Sequence, residues 1–312
     1  MREPSAVSFS IVMPSYNTEA TIDAAIESVL GQTRPDFELI VADDGSTDST
    51  AARVERFLGD RRIKLIAQPH RGPSAARNAA IAESVGEYVS FLDSDDLWLP
   101  RYLEVMAATV RDNPQATVAY TDAWVLYDEI KRIARGTAMN AYLPPAIPRE
   151  PRAFLRALLE HGNFVYYSAT VRRSALVDVG GFNEALQASV DYELWLRVAS
   201  RGHTFVRCPE TLAVYRRRAG QITSDPAAID RALPEVFRLV AEEYDVPDEI
   251  RALTRRRRRE QEQRSSATRE RAHPRRLPAT LRGVYRVFWR LRWFYLRTPA
   301  KVREAFPDLD TV

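Results

Sequence analysis

Residues Phe9–Leu30 read FSIVMPSYNTEATIDAAIESVL, and this stretch contains a complete strand, loop and helix. Its first five residues are an apolar run typical of a short buried strand, and we expect Pro14 to end that strand. From Thr21 onward the apolar residues recur at helical spacing, at Ile22, Ala25, Ile26, Val29 and Leu30. The stretch therefore predicts one β-strand followed by one α-helix.

The same alternation continues along the chain. Three further strand patterns are Phe37–Ala42, Lys64–Ala67 and Tyr88–Leu92. Helical patterns at Ser49–Leu58 and Ser74–Ser84 separate them. Strands and helices that alternate with short links indicate an α/β fold, in which a mixed, mostly parallel sheet is sandwiched by helices.

Polar side chains follow three of these strands where each strand ends. They are Ser15, Tyr16 and Asn17 after the first strand, Asp43 and Asp44 after the second, and Asp93, Asp95 and Asp96 after the fourth. Parallel sheets bind ligands beyond the carboxyl ends of their strands, so we expect one crevice to collect these groups. The alternative is that they only cap the following helices and shape turns.

The acidic cluster lies in YVSFLDSDDLW, residues Tyr88–Trp98, with three aspartates within four positions. Carboxylates that are so crowded repel one another unless a cation lies among them. The segment therefore raises the question of which cation the site holds.

These segments together resemble the inverting glycosyltransferases of family 2, whose nucleotide-diphospho-sugar fold is called GT-A. The resemblance covers about residues 8 to 223. The similar segments are SIVMPSYN (Ser10–Asn17), SVLGQT (Ser28–Thr33), FELIVADDGSTD (Phe37–Asp48), RGPSAARN (Arg71–Asn78), GEYVSFLDSDDLW (Gly86–Trp98), GGFNE (Gly180–Glu184) and DYELWLRV (Asp191–Val198).

The resemblance implies a donor site for a nucleotide sugar. Tyr16 would stack on the base and Asp44 would accept its imide hydrogen, with Arg77 near the base or diphosphate. Pro14, which belongs to the first matching segment, is assigned to the same donor site. A divalent cation that bridges diphosphate and protein carboxylate assists departure of the leaving group, and an all-oxygen site suits Mg²⁺ or Mn²⁺.

The D-x-D aspartates would divide the remaining tasks. Asp95 is the expected metal ligand, and Asp93 is expected to contact the ribose or the water ligands of the metal. For Asp96 the resemblance implies no definite role, and a helix cap is the alternative.

The resemblance identifies Asp191 with the catalytic base of the family. In an inverting transfer, the acceptor hydroxyl loses its proton as it attacks the anomeric carbon from the face opposite the nucleotide. The alternative role, an N-cap of the helix that follows, is compatible with this one.

Two residues depart from the family pattern. Val190 stands where the family usually has an acid, immediately before the base. Arg218 stands where many relatives have a histidine that helps to hold metal or diphosphate. An arginine does not ligate a cation but pairs with phosphate oxygens, so we assign Arg218 to the donor site.

Nothing in the sequence identifies the acceptor. Five aromatic residues are candidates for stacking on sugar rings, although residues of this type more often lie in the core. They are Trp124, Tyr142, Tyr166, Tyr167 and Trp195. The four histidines, His70, His161, His203 and His273, show no metal-ligand spacing, and we interpret them as structural or surface residues.

Length and composition agree with a globular protein of one large domain with an appendage, or of two domains. The resemblance implies a GT-A catalytic domain at 1–224, with a nucleotide-sugar half at about 8–115 and an acceptor half at about 116–224. A helical, Arg-rich region is predicted for 225–312. The single cysteine, Cys208, excludes an intrachain disulfide, and no apolar run long enough for a secretory h-region or a membrane span is found, so we expect a cytoplasmic protein.

Basic residues concentrate in the last part of the chain. From Arg251 to Glu304 there are eighteen lysines and arginines against four acidic residues, whereas the whole chain carries only +3. Within it, 280–297 (TLRGVYRVFWRLRWFYLR) places arginines and apolar residues on different helical faces. This pattern predicts a helix that lies flat on an anionic membrane surface at the inner face of the cytoplasmic membrane. The alternative is a helix that packs on the catalytic domain.

The function predicted on these grounds is transfer of a sugar, from a UDP-sugar by resemblance, to a saccharide or lipid-linked saccharide in polysaccharide or glycoconjugate synthesis. One rival is a nucleotidylyltransferase, which lacks support because SYNTEAT stands in place of a Gly-rich phosphate loop. Others are an inactive GT-A binding protein and a nucleic-acid binder that uses Arg255–Arg259. We do not expect a nucleic-acid partner, because no recognition motif accompanies that run.

Overall fold

The computed structural model describes residues 8–127, 132–135, 146–166, 168–217 and 226–271. Its first part alternates strands and helices as the sequence predicts. The elements there are β1 (Phe9–Ser15), α1 (Ile22–Leu30), β2 (Phe37–Asp43), α2 (Thr50–Glu55), β3 (Ile63–Ala67), α3 (Pro73–Ala82) and β4 (Tyr88–Phe91).

The second part of the chain completes the sheet and adds helices to it. Its strands are β5 (Leu97–Trp98), β6 (Val118–Tyr127), β7 (Arg132–Arg135), β8 (Ala169–Arg172) and β9 (Phe205–Arg217). Its helices are α4 (Tyr102–Asp112), α5 (Pro151–His161), α6 (Arg173–Val179), α7 (Val190–Ser200), α8 (Pro226–Glu242) and α9 (Asp248–Arg271).

The strands of the described residues form one mixed sheet. Their order is β3-β2-β1-β4-β8-β6-β9-β5, and β7 pairs with β6 outside that path. Strands β3, β2, β1 and β4 run parallel, so their carboxyl ends meet at one edge. Strand β8 is antiparallel to both β4 and β6, while β9 runs parallel to β6 and antiparallel to β5.

Both faces of the sheet are buried, as expected for parallel strands. In β1, Ile11 and Met13 point into one core layer, and Val12 points into the other. Helices α1 and α4 contribute to the layer of Ile11 and Met13, and α3, α5 and α7 contribute to the layer of Val12. The predicted fold class is therefore confirmed.

The prediction that Pro14 ends the first strand is wrong. Strand β1 continues through Pro14, which pairs with Ala42 of β2, to Ser15. In a strand that lies between two parallel strands, the backbone groups of successive residues form hydrogen bonds alternately with one neighbouring strand and with the other. Because the Ser15 carbonyl accepts from Asp44 on the β2 side, Pro14 faces the β4 side. The β1–β4 pairing ends at Val12, so the missing N–H of Pro14 removes no ladder hydrogen bond.

Helices α8 and α9 pack on the sheet-covering helices and share their core. Buried apolar residues of the two helices, among them Val236, Phe237, Val240, Ile250 and Leu253, belong to the same cluster as Trp195 of α7. The Tyr244 hydroxyl, between α8 and α9, donates a hydrogen bond to the buried Glu193 carboxylate of α7. These helices therefore brace α7 and complete its apolar surroundings.

The Arg255–Arg259 run lies within α9, and three of its members are engaged with acidic side chains. Arg257 pairs with Glu260, Arg258 pairs with Glu242 and Glu262, and Arg256 lies 3.6 Å from Glu260. These ion pairs reduce the charge that the run offers to phosphates. Within the described residues, no helix is both long and apolar enough to cross a bilayer. Segment 280–297 lies outside the described residues.

Candidate active site

Two loops at the carboxyl ends of β1 and β2 are joined by side-chain hydrogen bonds. Asn17, which has a positive φ of 51°, donates its N–H to Ser46 Oγ at 3.0 Å. Its Oδ1 accepts from the Thr47 N–H at 2.8 Å. Farther along, the Thr18 N–H donates to Thr50 Oγ1 at 2.8 Å. The first edge of the crevice is therefore built by both loops together.

Gly45 allows this edge to approach the loop after β3. Its φ is +74°, in the left-handed region, and a Cβ at this position would lie 2.9 Å from the His70 backbone nitrogen. Any other residue would therefore meet both backbone strain and a steric clash. The close approach brings Asp44 against the segment from Gln68 to Gly72.

The Asp44 carboxylate is almost completely buried, accepts three hydrogen bonds from that segment and has a fourth polar neighbour there. Oδ1 accepts from Gln68 Nε2 at 2.6 Å and from the Arg71 N–H at 3.0 Å. Oδ2 accepts from the Gly72 N–H at 2.7 Å and lies 2.8 Å from His70 Nδ1. Of the about four lone-pair sites of a carboxylate, three therefore accept hydrogen bonds and the His70 ring nitrogen lies beside the fourth. The alternative that Asp44 only caps the following helix is wrong, because all of these partners belong to the neighbouring loop.

Tyr16 lies at the mouth of the crevice with 42% of its surface exposed. Its ring stacks on the ring of His70, with 4.1 Å between centroids and 22° between planes. The histidine was interpreted from the sequence as a structural or surface residue. The structure instead places it at the predicted base site, in contact with both Tyr16 and Asp44.

The D-x-D turn after β4 is anchored by two arginines. Arg77 of α3 is buried, and its Nη2 lies 2.6 Å from Asp93 Oδ1, with the guanidinium 5.2 Å from the Phe182 ring centroid. Arg216 of β9 donates from Nε to the Asp95 carbonyl at 3.0 Å. The Asp95 side chain is half-buried at this turn.

Asp96 fastens the turn to the other half of the sheet. It is 1% exposed, and its carboxylate accepts from the Arg216 N–H at 2.8 Å and from the Tyr166 hydroxyl at 2.9 Å. The capping alternative for Asp96 is wrong, because α4 begins after Arg101 and Asp96 bonds to β9 instead. Its role in this structure is to hold the strand end beside the D-x-D turn.

The GGFNE segment docks on α3 and brings α7 toward the crevice. Asn78 of α3 accepts from the Phe182 N–H at 2.7 Å and donates to the Phe182 carbonyl at 2.9 Å. Gly181 has a φ of +69°, and a Cβ there would lie 2.5 Å from Asn78 Oδ1. The Arg197 guanidinium pairs with Glu193 within α7 and donates to the Gly181 carbonyl at 2.7 Å. The helix that carries Asp191 is therefore tied to the helix that carries Arg77.

Asp191 lies in the first turn of α7, after the N-cap residue Ser189, whose φ is 57°. Asn163 Nδ2 donates to Asp191 Oδ2 at 2.8 Å. Burial raises the pKa of the Asp191 carboxyl above its ordinary value, although the Tyr192 N–H, the Arg77 charge and the Asn163 amide each act to lower it. A carboxylate with a raised pKa, oriented by an amide, is suited to accept a proton.

The acidic groups of the crevice influence one another. Burial raises the pKa of Asp93, the Arg77 charge opposes that increase, and the negative charges of Asp95 and Asp191 add to it. Arg77 also acts on the pKa of Asp191. These mutual effects place Asp93, Asp95, Asp191 and Arg77 within one electrostatic neighbourhood.

The crevice thus brings together most of the predicted residues in two groups. Pro14, Tyr16 and Asp44 lie at the end formed by β1 and β2, and Arg77, Asp93, Asp95 and Asp191 lie at the end formed by β4 and α7. Arg218 lies outside the described residues. The sequence analysis did not identify His70 or Asn163 as site residues. His70 directly precedes the RGPSAARN segment, and that position was a usable signal. Asn163 lies in a loop where no motif marks it.

Two of the three described aromatic candidates for sugar stacking are core residues, and the third is half-buried. Trp195 is fully buried, Tyr166 is buried with its hydroxyl on Asp96, and Trp124 packs on a small apolar cluster beside β5. Tyr142 and Tyr167 lie outside the described residues. Cys208 is buried and unpaired by any disulfide, as predicted.

The donor set of the D-x-D turn fits a divalent cation that the substrate helps to hold. Among the described residues no group of three or more His, Cys, Asp or Glu side chains is arranged as a metal cage. Mg²⁺ is commonly held by one or two carboxylates together with substrate phosphates, and Asp95 with Asp93 supplies that number of carboxylates. Asp93 is paired with Arg77, and Asp95 remains the metal ligand that we predict from the sequence.

Comparison with known protein families agrees with this geometry. The sequence model described as "Glycosyl transferase family 2" matches residues 10–180. The chain is 30% identical, over 69% of its length and 79% of the relative's, to UDP-Glc:alpha-D-GlcNAc-diphosphoundecaprenol beta-1,3-glucosyltransferase WfgD of Escherichia coli. This chain is also 30% identical, over 62% of its own length, to the chondroitin synthase of Pasteurella multocida, and the match covers 19% of that synthase.

Solved structures share the fold. TarS 1-349 of S. aureus in complex with UDP-GlcNAc superposes with a TM-score of 0.64 at 23% identity, covering 80% of this chain and 72% of that one. The mannosyltransferase PcManGT from Pyrobaculum calidifontis, in complex with GDP-Man and Mn²⁺, gives a TM-score of 0.58 at 18% identity, covering 93% and 84%.

Proposed function

This chain belongs to glycosyl transferase family 2, whose members act on nucleotide-sugar donors, and from that premise we propose an inverting transfer from a UDP-sugar to a hydroxyl of a saccharide or lipid-linked saccharide. The observation that carries the proposal is the position of Asp191. It shares one crevice with Arg77 and Asp93, at the edge where parallel strands present ligands. The UDP-sugar and lipid-linked acceptor are suggested by the activity for which the WfgD relative is named.

The proposed site binds the donor along the crevice from base to diphosphate. Tyr16 offers an aromatic face to the base, and Asp44 offers carboxylate oxygens to its imide N–H. We assign Arg77 and Arg218 to the diphosphate end of the donor, because a guanidinium pairs with phosphate oxygens. Mg²⁺ or Mn²⁺ held by Asp95 would neutralise the charge that develops on the departing diphosphate.

The proposed reaction is a single displacement. The acceptor oxygen forms a bond to the anomeric carbon while the bond from that carbon to the diphosphate oxygen breaks, and the diphosphate leaves with the electron pair. Asp191 takes the proton of the acceptor hydroxyl as the new bond forms. Asn163 holds the Asp191 carboxylate in one orientation through its 2.8 Å hydrogen bond. Attack from the face opposite the leaving group inverts the anomeric configuration.

A donor panel tests the proposed function. Purified full-length protein would be incubated with UDP-, GDP- and dTDP-sugars, each with Mn²⁺ or Mg²⁺, and release of the nucleoside diphosphate would be measured. Release from one donor that rises with an added saccharide acceptor supports a transferase and identifies the base. Binding of donors without release, with every acceptor class tried, would support the inactive binding protein instead.

Changing Asn163 to alanine should move the pH dependence of turnover. The Asn163 amide stabilises the charged Asp191, so its loss raises the pKa of that carboxyl further. Because the base acts in its ionised form, the acid limb of kcat/KM should shift to higher pH. Asn113→Ala, which alters an asparagine at the end of α4, is the matched control. An unmoved acid limb in Asn163→Ala would contradict the assignment of Asp191 as base.

We further propose that the basic tail holds the enzyme at the inner face of the cytoplasmic membrane. The sequence of 280–297 supports this, and arginines near an anionic surface contribute about 1 kcal/mol each. Exposed Arg255 and Arg259 of α9 lie upstream in the chain and add positive charge. A lipid-linked acceptor would then reside where the active site is held.

Replacing the tail arginines by glutamine should weaken binding to anionic vesicles. The full-length protein is expected to sediment with such vesicles at low salt and to be released at high salt.

The variant changes Arg282, Arg286, Arg290 and Arg297. The control changes four exposed arginines of the catalytic part, Arg61, Arg111, Arg149 and Arg152. Equal sedimentation of the two variants would end the membrane proposal. Truncation at Asp248 is unsuitable, since it removes the buried Ile250 and Leu253.

A further inference from the structure

The contacts of His70 in the crevice match those that the donor's base is expected to make. Its ring lies on Tyr16 with centroids 4.1 Å apart and planes inclined by 22°, a stacked geometry. Its Nδ1 lies 2.8 Å from Asp44 Oδ2 and 3.1 Å from the Asp44 carbonyl oxygen. Both of those oxygens only accept hydrogen bonds, so Nδ1 carries a hydrogen and donates it.

The backbone around His70 is held by hydrogen bonds and close packing, whereas its side chain is about half exposed. The Arg71 and Gly72 N–H groups donate to Asp44, and Gly45 permits a close approach to the His70 backbone nitrogen. The His70 side chain itself is 54% exposed to solvent. A rotation about its own side-chain bonds therefore moves the ring off Tyr16 without rebuilding the loop.

His70 stands in front of the Asp44 carboxylate on its solvent side. Gln68, Arg71 and Gly72 donate hydrogen bonds to this carboxylate, and His70 Nδ1 lies 2.8 Å from Oδ2, where a further donor would have to approach. Two of these donors are backbone N–H groups, and the Gln68 amide reaches Asp44 from the half-buried floor of the loop. His70 is the partner at the exposed mouth, and it also covers the Tyr16 ring.

We propose that the His70 ring stands in the place of the donor's base, imitating both its stacking on Tyr16 and its N–H bond to Asp44, so that donor binding must displace it. The inference rests on the proposed function, because it takes Tyr16 and Asp44 as the base site. His70 is then a residue that sets donor affinity and base selection. A base with an imide N–H, such as uracil, replaces both lost contacts. Cytosine has an acceptor nitrogen at the position of that N–H, so it replaces the stacking but not the same hydrogen bond.

The consequence is a measurable competition between a side chain and a substrate. When a group of the protein occupies a binding site, a ligand binds only to the fraction of molecules in which that group has moved out. The apparent Kd is the intrinsic Kd divided by that fraction. Removing the His70 ring should therefore tighten UDP binding, and we expect His70→Ala to bind UDP about tenfold more tightly. This factor corresponds to the free energy of one hydrogen bond and one stacked contact, which UDP no longer has to break, minus the cost of ordering the ring. His70→Phe keeps a ring for Tyr16 but has no N–H, so its affinity should lie between those of His70→Ala and the unaltered protein.

Titration calorimetry with UDP and with CDP tests the competition on the full-length chain. His161→Ala, at the end of α5, is the matched histidine control and should bind UDP like the unaltered protein. Unchanged or weaker UDP binding by His70→Ala would overturn the inference, since a histidine that sandwiches the base or only shapes the loop gives that result. If no nucleotide binds to the unaltered protein or to any variant, the proposed function itself fails and the inference falls with it.

Proton NMR of the histidine rings gives a second readout that does not depend on activity or on a substitution. The chain has only four histidines, so the His70 ring signals are identified by their absence from His70→Ala. Stacking on Tyr16 should shift these signals upfield, and saturating UDP should move them downfield as the ring leaves. Ring signals that stay unchanged when calorimetry shows UDP bound would overturn the displacement.

Discussion

Asp191→Asn should lower kcat by about 10²–10⁴-fold while UDP binding stays near its original strength, because a positioned base contributes about that much to rate. Asparagine has nearly the same shape as aspartate but does not accept the proton of the acceptor hydroxyl. The 2.8 Å contact with Asn163 remains available to the Oδ1 of the new side chain, so the local structure should persist. Turnover by nucleotide release and affinity by calorimetry separate the two effects.

A matched substitution excludes a general effect of losing one negative charge. Asp178 lies on α6, its side chain is 55% exposed, and it lies 3.5 Å from His203 rather than in the crevice. Asp178→Asn should leave kcat unchanged. If Asp191→Asn also retained full turnover, another group would take the proton and the assignment of the base would be wrong.

Asp95→Ala should abolish turnover and most donor affinity in the presence of Mn²⁺. The substitution removes the carboxylate that we assign to the cation, so the diphosphate loses a bridge to the protein and its departure loses charge neutralisation. The unaltered protein is expected to bind UDP more tightly when Mn²⁺ is added, and Asp95→Ala should lose that response. Calorimetry with Mn²⁺ and with a chelator measures the response without any turnover.

The control for this variant is Asp112→Ala, which removes an exposed acid at the end of α4. It should keep both turnover and the response of UDP affinity to Mn²⁺. Near-normal turnover in Asp95→Ala would contradict the metal assignment. A loss of turnover with an unchanged response to Mn²⁺ would instead indicate that the carboxylate orders the D-x-D turn without contacting the cation.

The fold was largely predictable because its first half has strong local signals. Apolar runs, turn residues and helical periodicity locate β1 to β4 and the helices between them, with boundaries that differ by a few residues. The error at Pro14 arose because a sequence does not show on which side a strand's N–H groups are needed. That information comes from the pairing of β1 with β4, which ends at Val12.

The site was predictable where residues follow a strand directly and less so where distant segments meet. Asp44 and Asp93 stand at strand ends, so the topology alone places them at the crevice. Asn163 precedes Asp191 by 28 residues and reaches it only through the packing of α5 and α7. The function of His70 depends on ring geometry against Tyr16, which no spacing in the sequence reveals.

The pairing of the D-x-D turn with β9 bears on how the chain matures during synthesis. Asp96 and Asp95 are held by Arg216, which is added to the growing chain about 120 residues after them. Contacts between segments so far apart form late, because a long intervening chain must first be closed into a loop. We therefore expect a nascent chain on the ribosome to order its parallel strands well before it acquires affinity for a nucleotide sugar. Competence to bind substrate would appear only once β9 has cleared the exit tunnel.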